Sequence, residues 1–332
     1  MNLPRIVIHL SAVLLIASGC RTARPGAPLA RTGDEIVVAG QFFHTGTRVV
    51  TWMDAGGYDA YRVERRFSAP GEASWDASKA AVKALAKPNR YDTRREGLDA
   101  AAIERIRGGG WELDALRDKV DQFVLHFDAC GTSRQCFKIL HDLRGLSVHF
   151  MLDLDGTIYQ TLDAKERAWH ATSSNTRSVG IEIANIGAYP PGRDTLLDQW
   201  YQADGPGRTR VKIPATMTED GILTPGFIAR PARPERVRGT VQGQELAQFD
   251  FTAEQYAALA KLTATLCKIF PKITCDFPRD ASGGLVSQKL PDDQLARYHG
   301  LLGHFHIQSN KVDPGPAFDW EKLFHNARRE MR

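Results

Sequence analysis

The chain has 332 residues, 42% of them hydrophobic and 25% charged, a globular composition that excludes a collagen-like, coiled-coil or wholly disordered protein. Forty-three Lys and Arg against 39 Asp and Glu leave a net charge of +4, too small an excess over this length to point to nucleic acid as a partner. The length suits either two domains or one large domain with additions.

Residues 1–19 carry one basic residue, Arg5, an apolar run from Ile6 to Ile16 and the small residues Ala17, Ser18 and Gly19, the pattern of a secretory signal peptide. The run is short for a bilayer core of ~30 Å, and His9 interrupts it, which argues against a retained span. Cys20 follows directly. Small residues before a cysteine resemble a bacterial lipobox, which implies removal of the leader and acylation of Cys20. Several acyl chains hold a protein on a membrane far better than one. Arg21 follows the cysteine, and by analogy with Gram-negative sorting this favours the periplasmic face of the outer membrane, with a secreted or soluble periplasmic protein as the alternative. Residues 20–34, rich in Pro, Gly, Ala and Arg, read as a flexible tether.

Export also permits disulfides among Cys130, Cys136, Cys267 and Cys275. Four cysteines allow three pairings, and the sequence alone does not choose among them; the local pairs 130 with 136 and 267 with 275 are preferred. A zinc held by all four thiolates is the weaker reading, because neither spacing is CxxC.

Residues 35–110 read as an N-terminal extension packed on the core, with short β-rich runs over 36–61 and a helix over 74–88 that ends at a proline. The main domain spans 111–332 and opens with a helix over 111–120. Over 122–129, Phe123, Leu125 and Phe127 alternate with Val124, His126 and Asp128, so the segment is a strand with His126 on the face away from the phenylalanines. Ser133 caps a helix whose Cys136, Ile139, Leu140 and Leu143 share one side, and Gly145 stops it. Residues 148–160 form a hairpin turning at Asp155-Gly156, and 178–186 a strand with Val179, Ile181 and Ile183 on one face and Glu182 on the other. From 187 to 248 the periodicity fails among Pro, Gly and Arg, a long loop insertion. Thr252 and Gln255 then make a capping box, Phe251 and Tyr256 a hydrophobic staple, and the helix runs to Pro271 with Tyr256, Leu259, Ala260, Thr263, Leu266, Cys267 and Phe270 on its inner face. Strands and helices intermix, so the class is α/β.

His126 and Glu182 project from apolar strands opposite the large hydrophobes, an odd position for either group without a partner. Near the C-terminus, His304, His306, Lys311 and Asp313 lie within ten residues, the densest set of potential ligands in the chain. Two of these with His126 would give three protein ligands and leave a fourth position for water, the arrangement of a catalytic zinc.

VLHFDACG, AWHA at 168–171, SVGIEIAN and GHFHIQSNKVDPGPAFDW occur in the order found in the zinc-dependent N-acetylmuramoyl-L-alanine amidases, a family that includes the peptidoglycan recognition proteins and phage amidase lysozymes. The chain resembles that family over roughly 111–186 and 250–322. The resemblance implies a mixed central sheet flanked by helices and one Zn²⁺ bound by His126, His304 and Asp313. It further implies Glu182 as general base and Lys311 as stabiliser of the oxyanion, and it supports a Cys130–Cys136 disulfide like that of the recognition proteins. His149, Trp169 and His170 fall within the matching motifs and read as pocket wall or hydrogen-bonding residues, with Trp169 equally suited to core packing. His306 is a rival to His304. The implied activity is hydrolysis of the amide between N-acetylmuramic acid and L-alanine in peptidoglycan or muropeptides, by a protein that meets the membrane through its lipid anchor alone and binds no nucleic acid. The alternatives are a non-catalytic peptidoglycan-binding lipoprotein and an amidase for another acylated peptide.

Overall fold

The computed structural model describes residues 24–81 and 90–332. The leader and Cys20 lie outside the described residues, as does the second half of the helix expected over 74–88. The division between the two units falls after Arg31; of the first, residues 24–31 are described, mostly exposed, with a turn closed by Ala27 N donating to Arg24 O. Among the described residues no helix is long and apolar enough to cross a membrane.

In the second unit, 32–332, the strands in chain order are β1 (Glu35–Val38), β2 (Gln41–His44), β3 (Val49–Thr51), β4 (Tyr91–Asp92), β5 (Gln122–Phe127), β6 (Phe150–Leu152), β7 (Ile158–Gln160), β8 (Arg167–Ala168), β9 (Ser178–Ile183), β10 (Tyr201–Ala203), β11 (Thr209–Val211), β12 (Arg236–Val241), β13 (Gln244–Phe249) and β14 (Gly300–Gly303). The six-stranded central sheet has the order β14-β5-β9-β6-β7-β3 and is mixed: β14, β5, β9 and β6 run parallel, and β7 is antiparallel to β6. The N-terminal extension supplies β3, an edge strand of this sheet parallel to β7, so 35–110 shares the main core through Ile36, Val38 and Val49.

One sheet face is largely apolar. Phe123, Leu125, Phe150, Val179, Ile181 and Ile183 pack with Leu259, Leu262 and Leu266 of the helix Ala253–Ile269 and with Leu323 and Phe324 of Trp320–Glu330. Full burial of each such side chain contributes about 1.5–3 kcal/mol, so this face anchors the sheet. The capping box at Thr252 and Gln255 forms with both hydrogen bonds, and the Phe251 and Tyr256 rings meet edge to face at 6.1 Å. The other face is free to carry polar groups where its strands end.

Three local expectations change. The helix after β5 is capped by Thr132, whose hydroxyl accepts from Gln135 N; α-helix Ser133–Phe137 then widens into a π-helix, Lys138–Arg144, which Gly145 stops in the left-handed region. A helix expected nowhere from periodicity, Ala100–Gly109, is capped by Asp99. The insertion is not a plain loop: it holds the helix Thr195–Trp200 and the hairpins β10–β11 and β12–β13. Four of its arginines form ion pairs, Arg230 with Asp204, Arg236 with Asp194 and Asp198, and Arg238 with Glu245 inside it, and Arg233 with Asp250 just beyond it.

Candidate active site

In a sheet of parallel strands, ligands gather at the carboxyl ends. His126 is near the end of β5, and the β5–β9 register puts Glu182 directly opposite it on the same face. His304 follows the last residue of β14, the neighbour of β5 on its other side. A loop returning from His304 brings back Lys311 and Asp313, with Phe305 N donating to Asp313 O at 3.2 Å. His126, Glu182, His304, Lys311 and Asp313 all line one cleft of about 680 Å³.

His126 Nδ1, His304 Nδ1 and Asp313 Oδ2 converge: His126 to His304 is 3.0 Å, His126 to Asp313 2.8 Å and His304 to Asp313 3.1 Å. Gln308 Oε1, an acceptor 2.6 Å from His304 Nε2, fixes the proton on that nitrogen and leaves the Nδ1 lone pair facing inward. On His126, Nε2 stands 3.0 Å from His170 Nδ1, and His170 Nε2 is 3.2 Å from Ser178 Oγ, a relay that orients the His126 ring. Burial pushes the His126 pKa down to about 4, so its imidazole is neutral at pH 7 and free to bind a cation. Burial alone would raise the Asp313 carboxyl, but His304 and His126 hold it well below the usual carboxylate range. A proton on one imidazole satisfies one of these contacts, whereas a divalent cation satisfies all three electron-rich atoms together. Two imidazoles and a carboxylate are an ordinary zinc set, so the residues fit that ion.

Glu182 has its pKa pushed well up, first by burial and then by the negative charges of Asp313 and Asp128, with Lys311 acting in the opposite direction. Gly180, two residues before it, makes room for the relay: a Cβ there would lie 2.4 Å from the His170 ring.

His306, the rival ligand, is used elsewhere. Its Nδ1 accepts from Gly303 N at 2.9 Å and its Nε2 faces Val286 O at 2.7 Å. Trp169 and His170 line the cleft, but His149 does not: it is wholly buried, its Nδ1 accepting from Gly180 N and its Nε2 lying 2.9 Å from Glu166 O. Cys130 lies against Cys136 and Cys267 against Cys275, the same local pairs that the sequence favours.

Arg94 escaped the sequence reading. Its fully buried guanidinium donates to the carbonyls of Ala164, Lys165, Asn175, Thr176 and Ser178 at 2.9–3.2 Å and so clamps the loop that carries Trp169 and His170. The cleft also receives Arg144, Arg167 and Asn310, cationic and amide groups at its mouth.

The sequence pattern of N-acetylmuramoyl-L-alanine amidases matches residues 116–316, well over half of the chain and all of the converging groups. The chain belongs to the N-acetylmuramoyl-L-alanine amidase family. The amidase is therefore a hydrolase of the cell wall, acting on the amide between N-acetylmuramic acid and L-alanine in peptidoglycan. It is similar to the 1,6-anhydro-N-acetylmuramyl-L-alanine amidase AmpD of Haemophilus influenzae, 23% identical over 222 residues that cover 67% of this chain and 74% of that protein. Among solved structures, a selenomethionine AmpD derivative is 18% identical over 71% of this chain and 89% of its own, with a TM-score of 0.32. The AmiD amidase from E. coli, in complex with anhydro-N-acetylmuramic acid-L-Ala-D-γ-Glu-L-Lys, is 19% identical over 63% and 57%, also with a TM-score of 0.32.

Proposed function

We propose that the amidase is zinc-dependent, with one ion held by His126, His304 and Asp313, and that it acts on peptidoglycan or its muropeptides from a lipid anchor on Cys20 at the periplasmic face of the outer membrane. The observation that carries the metal reading is the convergence of Nδ1, Nδ1 and Oδ2 within 3.1 Å of one another, in a pocket where both imidazoles have their outer nitrogens engaged. The anchor rests on the small residues before Cys20 and the Pro- and Gly-rich stretch after it.

A bound zinc ion would supply a Lewis acid beside the scissile carbonyl and lower the pKa of water toward about 7. The remaining work belongs to side chains. Glu182, which lines the cleft across the sheet from His126, takes the proton from the attacking water as the oxygen bonds to the carbonyl carbon. The same carboxyl then delivers that proton to the alanine nitrogen as the carbon–nitrogen bond breaks, leaving the lactyl carboxylate and a free stem peptide. Lys311, at the cleft wall, places an ammonium where negative charge develops on the carbonyl oxygen. His170 and Gln308 keep the two imidazoles turned toward the cleft throughout.

The test is incubation of the full chain with purified murein, with and without chelator, and identification of products by mass spectrometry. Free stem peptides that vanish with chelator and in Glu182→Ala support this reading. Intact murein retained by the protein without cleavage would replace it with a binding lipoprotein.

A further inference from the structure

The insertion reaches the catalytic loop through one unusual turn. The β12–β13 register pairs Val241 with Gln244, which leaves Gln242 and Gly243 as a two-residue loop with φ of 54° and 72°. Both central positions of such a turn are left-handed, and Asn, Asp or Gly are the usual occupants of the first. A glutamine there is strained, and strain kept at one position points to a use for the side chain.

The Gln242 amide is spent on the loop that carries Lys311. Its Nε2 faces the carbonyls of Phe305 at 2.7 Å, Gln308 at 3.0 Å and Lys311 itself at 3.3 Å. Its Oε1 accepts from Lys289 N at 3.1 Å, and its backbone N donates to Ser287 O at 2.9 Å. Those three carbonyls belong to the segment between His304 and Asp313, where Lys311 N in turn donates to Gln308 O. One side chain thus gathers the loop from within and ties it to the 287–289 strand of chain beside it. Nothing in Gln242 touches the cleft, so it acts through other residues.

We propose that Gln242 is a positioning residue for the amidase reaction: the insertion's hairpin sets where the Lys311 ammonium stands, and the strained turn is retained for that purpose. This rests on the role given to Lys311 above. A displacement of about 1 Å at a catalytic group can lower the rate about 100-fold, so modest loosening is enough to be seen.

The experiment compares the full chain with Gln242→Gly, which relieves the left-handed backbone and removes the amide, and Gln242→Asn, which also tolerates that conformation but is one methylene too short to reach the three carbonyls. Each is made alone and on Lys311→Ala, and kcat, KM, bound metal and melting temperature are measured with a soluble muropeptide. The expected result is a fall in kcat of about 10- to 100-fold at unchanged KM, metal content and melting temperature, shrinking to less than about threefold on the Lys311→Ala background. A kcat within about twofold of the parent in both variants, or an equal loss with and without Lys311, overturns the proposal. A Lys311→Ala chain as active as the parent removes the role of Lys311 itself, and this inference with it. Loss of Lys311→Ala activity beside unaffected Gln242 variants removes this inference alone.

Discussion

Glu182 stands directly across the β5–β9 ladder from His126, two side chains on adjacent parallel strands projecting from the same face. A strand pair fixes that neighbourhood more rigidly than loops do, because a one-residue slip of either strand would turn its own group into the apolar core. The carboxyl proposed to move the proton and the first imidazole of the proposed metal set are therefore held by the same backbone hydrogen bonds. Glu182→Gln keeps the shape and removes the proton acceptor. The expected outcome is a loss of about 10²- to 10⁴-fold in kcat with metal content unchanged, measured by turnover of muropeptide and elemental analysis of the same sample.

Arg94 supports the opposite wall. Five carbonyls converge on its guanidinium in a fully buried site, and a methionine would leave them without donors. Arg94→Met is expected to destabilise the chain by about 2–4 kcal/mol, read from urea denaturation, and Arg94→Lys to recover little, because one ammonium cannot reproduce the planar fork.

Gly131 follows Cys130 at φ of 81°, and a Cβ there would lie 2.3 Å from the ring of Trp200 in the insertion. Gly131→Ala meets both the left-handed penalty and the indole. A loss of about 1–3 kcal/mol is expected, and Trp200→Ala in the same chain should reduce the added cost of the alanine, a coupling that a double-mutant cycle measures.

Asp153 makes stability depend on pH. Its carboxyl is fully buried, Oδ1 accepts from Leu154 N at 2.8 Å and Oδ2 has no partner. Burial first, then the charges of Asp155 and Asp128, push its pKa up to about 8, against about 3.9 in an unfolded chain. Between those values the folded state holds a proton that the unfolded state has lost, so stability declines as pH rises from about 4 to about 8. Asp153→Asn removes that contribution. Denaturation midpoints at pH 5 and pH 8 should differ less in the variant than in the parent.

Much of this architecture was legible in the residues. Alternation over 122–127 and 178–183 marked the two central strands, and the Thr252 and Gln255 box marked the long helix, because each signal is local and each element buries a single face. His126 and Glu182 stood out as polar groups on apolar strands. What stayed hidden depends on distant partners. Arg94 looks like any basic residue until the carbonyls 70 to 84 positions away fold around it. In the β12–β13 hairpin, β12 is polar and half-exposed and β13 ends in four consecutive buried residues, so little period-two contrast betrays it, although Gln242-Gly243 is a turn signal. His149 shares a motif with the cleft residues, yet the backbone just before β6 turns it toward Gly180 and Glu166 instead.

The most direct test of the account is the metal stoichiometry of catalysis. Protein stripped with chelator and titrated with zinc should regain activity linearly and level off at one ion per chain, while the His126→Ala, His304→Ala double variant binds none and regains nothing. Full activity in stripped protein that elemental analysis shows to be free of metal would contradict it.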